Sequence, residues 1–141
     1  MQVKILEHIR TIPNYPKEGI NFYDLNSLFA SEVFGIVIDE LARKITSDSN
    51  FSYPTHVAGV ESRGFVIGSA LAKELMIPFV MIRKEDSKYP GELYKESYNL
   101  EYGSNTLVLQ KGILGHTSRV IIADDLIATG GSLLASKKLC E

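Results

Sequence analysis

The sequence predicts an α/β fold in which helices flank a central parallel sheet. Residues 57–82 have the pattern of a strand, a helix and a second strand, which is typical of parallel strands joined by covering helices. Residues 120–122 form a short apolar run, as expected of a strand that is buried on both faces. Leu133, Leu134 and Leu139 then recur at helical spacing, so the turn between them joins a strand to a helix.

The first fifty residues predict two helices with an irregular segment between them. Apolar residues within 3–9 have the spacing of a short amphipathic helix that ends before Pro13. Residues 12–22 contain two prolines and a glycine that interrupt any period, so we expect an irregular segment lying across another surface. Helical spacing returns over 34–45 and ends in the polar run 47–50.

The middle of the chain predicts the strands of the sheet and a hairpin. The expected elements are, in order, a strand at 57–60, a helix at 65–75 and a strand at 78–82. The polar segment 83–97 contains Pro-Gly and predicts a long loop, and long loops in compact domains are usually functional or disordered. Segments 98–102 and 106–110 predict a hairpin that continues from this loop.

The composition excludes several classes of protein. The 141 residues, of which 45% are hydrophobic, suffice for one domain with a packed core. A net charge of -2 argues against a nucleic-acid-binding surface, which needs clustered Lys and Arg in excess. The one cysteine, Cys140, cannot form an internal disulfide. Because the sequence has neither a signal-peptide pattern nor a run of membrane-spanning length, we expect a cytoplasmic protein.

The turn that follows residues 120–122 predicts a phosphate site. The first N–H groups of a helix lack intrahelical partners, and the helix dipole there favours negative charge. Gly130 and Gly131 allow the backbone to approach an anion closely, while Thr129 and Ser132 add hydroxyl donors. An ordinary turn with a helix cap is the alternative interpretation.

Two adjacent carboxylates, Asp124 and Asp125, precede this turn. Their charges would repel a bare phosphate, so we expect them to contact sugar hydroxyls or a divalent cation. The pair therefore suggests a ribose phosphate as the ligand, although Asp-Asp at a strand end is also common turn chemistry.

Residues 120–132 resemble the phosphoribosyl pyrophosphate signature of the type I phosphoribosyltransferases. Segments 12–22, 58–65 and 82–103 are similar to adenine phosphoribosyltransferases in particular and occur in that family's order. The resemblance implies the type I fold, with a flexible loop or hairpin over the active site, in a single domain over residues 1–141. Family members continue with at least one more strand, so it also implies a domain that is C-terminally incomplete.

The resemblance implies a glycosyltransferase of purine salvage that converts adenine and phosphoribosyl pyrophosphate into adenosine monophosphate and pyrophosphate. Positive charge builds on the ribose and negative charge on the departing pyrophosphate, so catalysis should depend on positioning and electrostatic stabilisation. Mg²⁺ is the expected cofactor, bridging substrate oxygens without a direct protein ligand. A homodimer is the expected assembly, with no nucleic-acid or membrane partner.

The resemblance also assigns roles to residues along the whole chain. The residues expected to bind phosphoribosyl pyrophosphate are Glu61, Ser62, Arg63, Arg83, Lys84, Asp124, Asp125, Ala128, Thr129, Gly130, Gly131 and Ser132. Those at 128–132 would hold the 5′-phosphate, the aspartates the ribose 2′ and 3′ hydroxyls, and the basic residues the pyrophosphate. The residues expected to be catalytic are Arg63, Glu101, Asp124 and Asp125.

Adenine would be bound by Asn21, Phe22 and Tyr23, with the Phe22 ring against the base and the flanking backbone reading its edge. Protonated Glu101 could donate toward N7 of the purine, and Tyr102 is expected near the sugar. Alternatives without a role in binding remain open, because Phe22 could be a core residue and Glu101 an exposed strand residue.

Other readings of the sequence also remain open. Ser62 could be an ordinary helix cap with Glu61 and Arg63 in solvent. The enzyme could instead use hypoxanthine or guanine, or the protein could be an inactive or regulatory member of the same fold.

Overall fold

The computed structural model describes residues 2–50, 52–100, 103–125 and 130–141. The chain divides into two compact units, Met1–Lys44 and Ile45–Glu141. No helix among the described residues is both long and apolar enough to cross a membrane.

The first unit contains helices and a small antiparallel hairpin. Its elements are α1 (Gln2–Glu7), β1 (Arg10–Pro13), β2 (Asn21–Asp24), α2 (Asn26–Phe29) and α3 (Val33–Ser47), whose last residues belong to the second unit. The two helices predicted near 3–9 and 34–45 are confirmed.

The prediction that residues 12–22 are irregular is wrong at both ends of the segment. Ile12 lies opposite Phe22 and Pro13 opposite Asn21 in the hairpin, and the Tyr15 N–H donates to the Ile20 carbonyl at 3.0 Å. The prolines occupy the last position of a short strand and the loop between the strands, where a missing N–H removes little pairing.

The second unit is built on a mixed sheet. Its elements are β3 (His56–Val60), α4 (Arg63–Leu75), β4 (Phe79–Lys84), a 3-10 turn (Glu85–Ser87), β5 (Leu93–Leu100), β6 (Gly103–Gln110), β7 (Val120–Ala123) and α5 (Gly131–Cys140). The described strands lie in the order β5-β6-β4-β3-β7. Strand β3 pairs in parallel with β4 and β7, whereas β6 pairs antiparallel with β4 and β5.

The expected α/β class is confirmed, and the parallel part of the sheet consists of three strands extended by an antiparallel hairpin. That hairpin is longer than predicted, because β5 already begins at Leu93 and not at position 98. The predicted loop at 83–97 is therefore too long, and the segment between the 3-10 turn and β5 covers only residues 88–92.

Helices cover both faces of the parallel strands. The larger core cluster lies on the face that carries α5, and its buried members are Ala58, Val60, Val80, Ile82, Leu107, Leu109, Ala135 and Leu139. On the other face, the ring of Phe65 from α4 packs edge-on against Phe79, with the ring centroids 6.2 Å apart. Strands buried on both faces explain why β3 is a continuous apolar run rather than an alternating one.

Candidate functional site

Three loops meet at one edge of the sheet because the parallel strands end there together. Val60 of β3 lies opposite Ile82 of β4, and Gly59 of β3 lies opposite Ala123 of β7. The residues that leave these strands, at 61–62, 85–87 and 124–125, are therefore neighbours.

This edge is also the place where the chain changes direction within the sheet. From β3 the chain passes to β4 on one side, and after the hairpin it returns to place β7 on the other side. In open α/β sheets, ligands bind beyond the carboxyl ends of the strands at such a switch point. A ligand is therefore expected in the crevice beyond the carboxyl ends of β3 and β7.

Close backbone contacts bring the start of α4 onto this crevice. A Cβ atom on Gly64 would lie 2.7 Å from the Ala123 carbonyl oxygen, and one on Gly59 would lie 2.5 Å from the Gly64 carbonyl oxygen. Only glycine permits such an approach, so these two positions fix α4 against β3 and β7. The neighbouring Arg63 is thereby held beside the end of β7.

Arg63 and Asp125 form an ion pair across the crevice. The Arg63 Nε lies 2.7 Å from Asp125 Oδ2, and the Asp125 side chain is only 8% exposed. A short, charge-assisted contact of this kind orients the guanidinium as well as neutralising it. It joins two segments, 61–64 and 124–125, that are about sixty residues apart in the sequence.

Asp124 lies in a setting that favours its protonated form. Burial raises the pKa of Asp124 to about 6, and the adjacent Asp125 carboxylate adds to the rise, while the Asp125 N–H donates to Asp124 Oδ1 at 2.9 Å. The two neighbouring aspartates thus differ in character, since Asp125 is held by a guanidinium and Asp124 carries a costly negative charge.

Glu61 accepts hydrogen bonds from the turn that follows β4. Its carboxylate receives the Ser87 hydroxyl at 2.7 Å, the Lys84 N–H at 3.2 Å and the Arg83 Nε–H at 3.4 Å. Burial alone would raise the pKa of Glu61, but the hydrogen bonds from Ser87, Lys84 and Arg83 together hold the pKa below its ordinary value. The carboxylate is therefore ionised at neutral pH.

The alternative in which Ser62 caps α4 with its neighbours in solvent is wrong. Ser62 is the N-cap residue, but within the described part of the chain its side chain makes no capping hydrogen bond. The Glu61 side chain is only 19% exposed, and Arg63 is paired with Asp125. The peptide bond between Glu61 and Ser62 is cis.

The strand-to-helix turn predicted after β7 is confirmed where the structure describes it. Gly130 has a φ of +84° and is the N-cap residue of α5, and its carbonyl accepts the Leu134 N–H at 2.9 Å. Gly131 and Ser132 form the first turn of α5. Gly130 as the N-cap residue is compatible with an ordinary helix cap as well as with a phosphate site, so both interpretations stay open.

Four predicted site residues lie outside the described part of the chain: Glu101, Tyr102, Ala128 and Thr129. Their roles stay predictions. The flanking elements are described, with β5 ending at Leu100 and β6 beginning at Gly103.

The predicted adenine-binding residues lie on β2 in the first unit. Tyr23 is 63% exposed, Asn21 is exposed and Phe22 is half-buried. The Phe22 ring meets the Tyr15 ring edge-on, with centroids 5.1 Å apart. Phe22 is therefore not a fully buried core residue, and its role toward a base stays a prediction.

One residue of the site was missed by the sequence reasoning. Ser87 lies in segment 82–103, which resembles the family, but no role was predicted for it, and it provides the shortest hydrogen bond to Glu61. Its place just after a strand end that carries Arg83 and Lys84 is the signal that could have found it.

Comparisons with known proteins agree with this geometry. A family model described as the phosphoribosyl transferase domain matches residues 24–141. Adenine phosphoribosyltransferase of Rhodospirillum rubrum is 39% identical over 138 residues, covering 97% of this chain and 78% of the relative.

Solved structures give the same result. Adenine phosphoribosyltransferase from Saccharomyces cerevisiae, complexed with an imino-altritol bisphosphate and adenine, has a TM-score of 0.90 at 37% identity and covers 97% of this chain and 78% of that one. The Trypanosoma brucei enzyme, in complex with AMP, pyrophosphate and ribose-5-phosphate, has a TM-score of 0.85 at 29% identity. The match covers 98% of this chain and 60% of that one.

The fold and the residues at the carboxyl edge thus define a phosphoribosyltransferase of type I. At this level of identity over nearly the whole chain, the protein belongs to the adenine phosphoribosyltransferase family.

Proposed function

We propose that this protein transfers the phosphoribosyl group of phosphoribosyl pyrophosphate to adenine, releasing pyrophosphate and forming adenosine monophosphate in purine salvage. The observation that carries the proposal is the ion pair between Arg63 and Asp125 beyond the carboxyl ends of β3 and β7. This ion pair joins two of the motifs by which the chain resembles its family. The relatives named above are adenine phosphoribosyltransferases, and the Trypanosoma brucei structure contains both products.

The leaving pyrophosphate would be bound by the loop 61–63 and by the two basic residues that end β4. Arg63 at the start of α4, and Arg83 and Lys84 at the end of β4, bring three cations to one edge of the sheet. Cations there stabilise the negative charge that develops as the bond to the anomeric carbon breaks.

The ribose 5-phosphate half would lie on the β7–α5 turn. In this proposal Asp124 and Asp125 accept hydrogen bonds from the 2′ and 3′ hydroxyls, and residues 128–132 hold the 5′-phosphate. The positive φ of Gly130 and the helix start at Gly131 support the phosphate role, because N–H groups at a helix start favour an anion. The aspartates stabilise a developing cation and are not nucleophiles.

The base would be held by Asn21, Phe22 and Tyr23, with the exposed backbone of β2 reading its edge. Glu101, in its protonated form, would donate toward N7 as N9 attacks, and Tyr102 would lie near the sugar.

Mg²⁺ is the cofactor of the proposed reaction. The side chains near the proposed site indicate whether the protein could ligate the ion itself. The described residues contain no group of three or more His, Cys, Asp or Glu side chains able to hold a metal. Such a set of side chains suits a Mg²⁺ ion that would be held mainly by oxygens of phosphoribosyl pyrophosphate, without a direct protein ligand. Asp124 and Asp125 would then lie near the ion and favour its positive charge. When bound there, Mg²⁺ would neutralise charge on the pyrophosphate.

The proposal extends to the molecule's setting. We propose a cytoplasmic homodimer of single-domain chains, with adenine and phosphoribosyl pyrophosphate as substrates and without nucleic-acid or membrane partners.

A single experiment tests the activity. The purified protein is mixed with phosphoribosyl pyrophosphate, Mg²⁺ and, in turn, adenine, hypoxanthine or guanine, and pyrophosphate release is followed. We expect release with adenine alone. Pyrophosphate release with hypoxanthine or guanine would show that the enzyme uses that purine in place of adenine. Binding of the substrates without pyrophosphate release would point to a non-catalytic member of the family.

A further inference from the structure

Ser87 ends a short 3-10 turn that follows β4 and leads, through residues 88–92, to the β5–β6 hairpin. The Lys88 N–H donates to the Glu85 carbonyl at 3.2 Å within this turn. A single 3-10 turn has little stability of its own, so contacts made by its side chains decide where it lies.

The Ser87 hydroxyl ties this turn to the loop after β3. Its oxygen lies 2.7 Å from Glu61 Oε2 and 3.0 Å from Glu61 Oε1. Glu61 is an anion, and a hydroxyl that donates to an anion makes one of the stronger hydrogen bonds available to a protein. The contact spans 26 residues of sequence and joins two of the three loops at the carboxyl edge.

Arg83 is held loosely in the same network. Its Nε lies 3.4 Å from Glu61 Oε1, its terminal nitrogen donates to the Ser87 carbonyl at 3.4 Å, and its guanidinium carbon lies 5.1 Å from the centre of the Tyr89 ring. A tight pair between a guanidinium and a carboxylate would have distances of about 2.7–2.9 Å. Ser87 and the Lys84 N–H thus satisfy the carboxylate while its contact with Arg83 stays long.

We propose that Ser87 is a positioning residue for the pyrophosphate part of the site: its hydroxyl occupies the Glu61 carboxylate and so keeps the Arg83 guanidinium directed toward an incoming phosphate. The inference rests on the proposed function, which supplies the phosphate ligand. It adds a residue to which the resemblance assigns no role.

Loss of the hydroxyl has a defined consequence. Glu61 would lose its shortest hydrogen bond and could turn to Arg83, because the two side chains are already in contact. A guanidinium neutralised in this way competes poorly for a phosphate anion. Binding of phosphoribosyl pyrophosphate should then weaken, while the fold and the adenine site are unaffected.

Three variants separate this role from a purely structural one. Ser87→Ala removes the hydroxyl and Ser87→Thr keeps it. Ser69→Ala is the matched control, because Ser69 is an exposed residue of α4 whose hydroxyl contacts only the Val66 carbonyl among the described residues, at 3.4 Å. For each variant, KM for each substrate, kcat and the melting temperature are measured on the full chain.

For Ser87→Ala we expect KM for phosphoribosyl pyrophosphate to rise about fivefold or more, because an Arg83 guanidinium paired with Glu61 loses most of one charge-assisted contact with the phosphate. KM for adenine should stay at the wild-type value, and the melting temperature should fall only a little, because the closer contact between Glu61 and Arg83 replaces the lost hydrogen bond. Ser87→Thr should restore most of the affinity, and Ser69→Ala should behave as wild type. In a Glu61→Gln background, removal of the hydroxyl should add little, because the two residues act as one unit.

An unchanged KM for phosphoribosyl pyrophosphate in Ser87→Ala would overturn the inference and leave the proposed function intact. Equal loss in Ser87→Ala and Ser87→Thr at normal melting temperature would also overturn it, since the hydroxyl would then be irrelevant. A wild-type protein that neither binds phosphoribosyl pyrophosphate, measured by calorimetry, nor releases pyrophosphate would overturn the proposed function and this inference with it.

Discussion

At the scale of single residues, Asp124 and Asp125 show how neighbours of the same type acquire different properties. Asp125 is nearly buried but paired with Arg63 at 2.7 Å, whereas Asp124 is half-buried beside that occupied carboxylate. A negative charge in such a half-buried place is costly, so the Asp124 proton is retained to higher pH. A sugar hydroxyl that donates to Asp124 would offset part of this cost, which couples ligand binding to the ionisation of Asp124.

We expect Asp124→Asn to stabilise the free protein at neutral pH and to abolish most of the transferase activity. The pKa of Asp124 rises from 3.8 to about 6 on folding, so the folded state binds this proton more tightly than the unfolded chain. The resulting stability is fully present below pH 3.8 and is lost as the pH rises through about 6. The amide introduced by Asp124→Asn is uncharged, so the variant does not bear the cost of the buried carboxylate charge. The melting temperature of the variant should therefore exceed the wild-type value by about 2–4 °C near pH 8.

The measurement is a pair of melting curves for wild type and variant at about pH 4 and about pH 8, since these bracket most of the transition. The gain from Asp124→Asn should be larger at the higher pH. An equal difference at both values would contradict the assigned pKa.

The Glu61–Ser87 contact shows the limit of sequence reasoning at this scale. Glu61, Arg63 and the two aspartates stand in recognisable runs, so their clustering could be predicted. The pairing of Glu61 with Ser87 depends on β3 and β4 lying side by side, and no local pattern encodes it. Ser87 was therefore missed.

At the scale of secondary-structure elements, the long helices and the buried strands were predictable, the four-residue helix α2 was not, and the exposed strand β5 was predicted only in part. The predicted helices and β3, β4 and β7 carry long apolar periods or runs, which are strong signals. Apolar and polar residues do not alternate regularly along β5, and all eight of its residues are exposed or half-buried. The strand is therefore defined by its eight-residue pairing with β6. Strands β1 and β2 are too short to show a period and carry Pro13 at one end.

The packing of α4 on the sheet depends on Gly64. We expect Gly64→Ala to destabilise the protein by about 1–3 kcal/mol, because the added methyl must displace the backbone of β7 or of α4. Activity should fall as well, since Arg63 would move relative to Asp125. The readout is urea unfolding together with initial rates.

The matched control is Gly35→Ala in the first turn of α3, where an added Cβ atom meets nothing within 4 Å. There the substitution should stabilise the protein by about 0.5–1 kcal/mol through helix propensity. If both substitutions change the free energy of unfolding alike, the close contact at Gly64 carries no special cost.

At the scale of the whole molecule, the described core of the second unit is concentrated on the face covered by α5. This helix packs against β5, β6 and β7, and so binds the hairpin and the parallel strands together. The fold class was predictable because the alternation of strands and helices sets the layers. The order of the strands was not, because a crossover from β6 to β7 leaves no trace in local sequence.

Two leucines of α5 test this account of the core. Leu139 is 5% exposed and belongs to the cluster, whereas Leu134 on the same helix is 54% exposed. We expect Leu139→Ala to lower the free energy of unfolding by about 2–4 kcal/mol through the lost contacts and the cavity. Leu134→Ala should change it by less than about 0.5 kcal/mol, as for most surface substitutions. Comparable losses measured by urea unfolding would show that α5 packs on a different side.

The backbone hydrogen bond from the Glu61 N–H to the Ile82 carbonyl, at 2.9 Å, continues the pairing of β3 and β4 one residue past the strand end. A slip of one residue between these strands would turn every side chain to the opposite face of the sheet, and Arg83 and Lys84 would exchange directions. Extra residues between the two strands consequently leave the alignment of the ladder unaltered where they fall outside the helix and the strands, as in the connection around Met76 and Ile77.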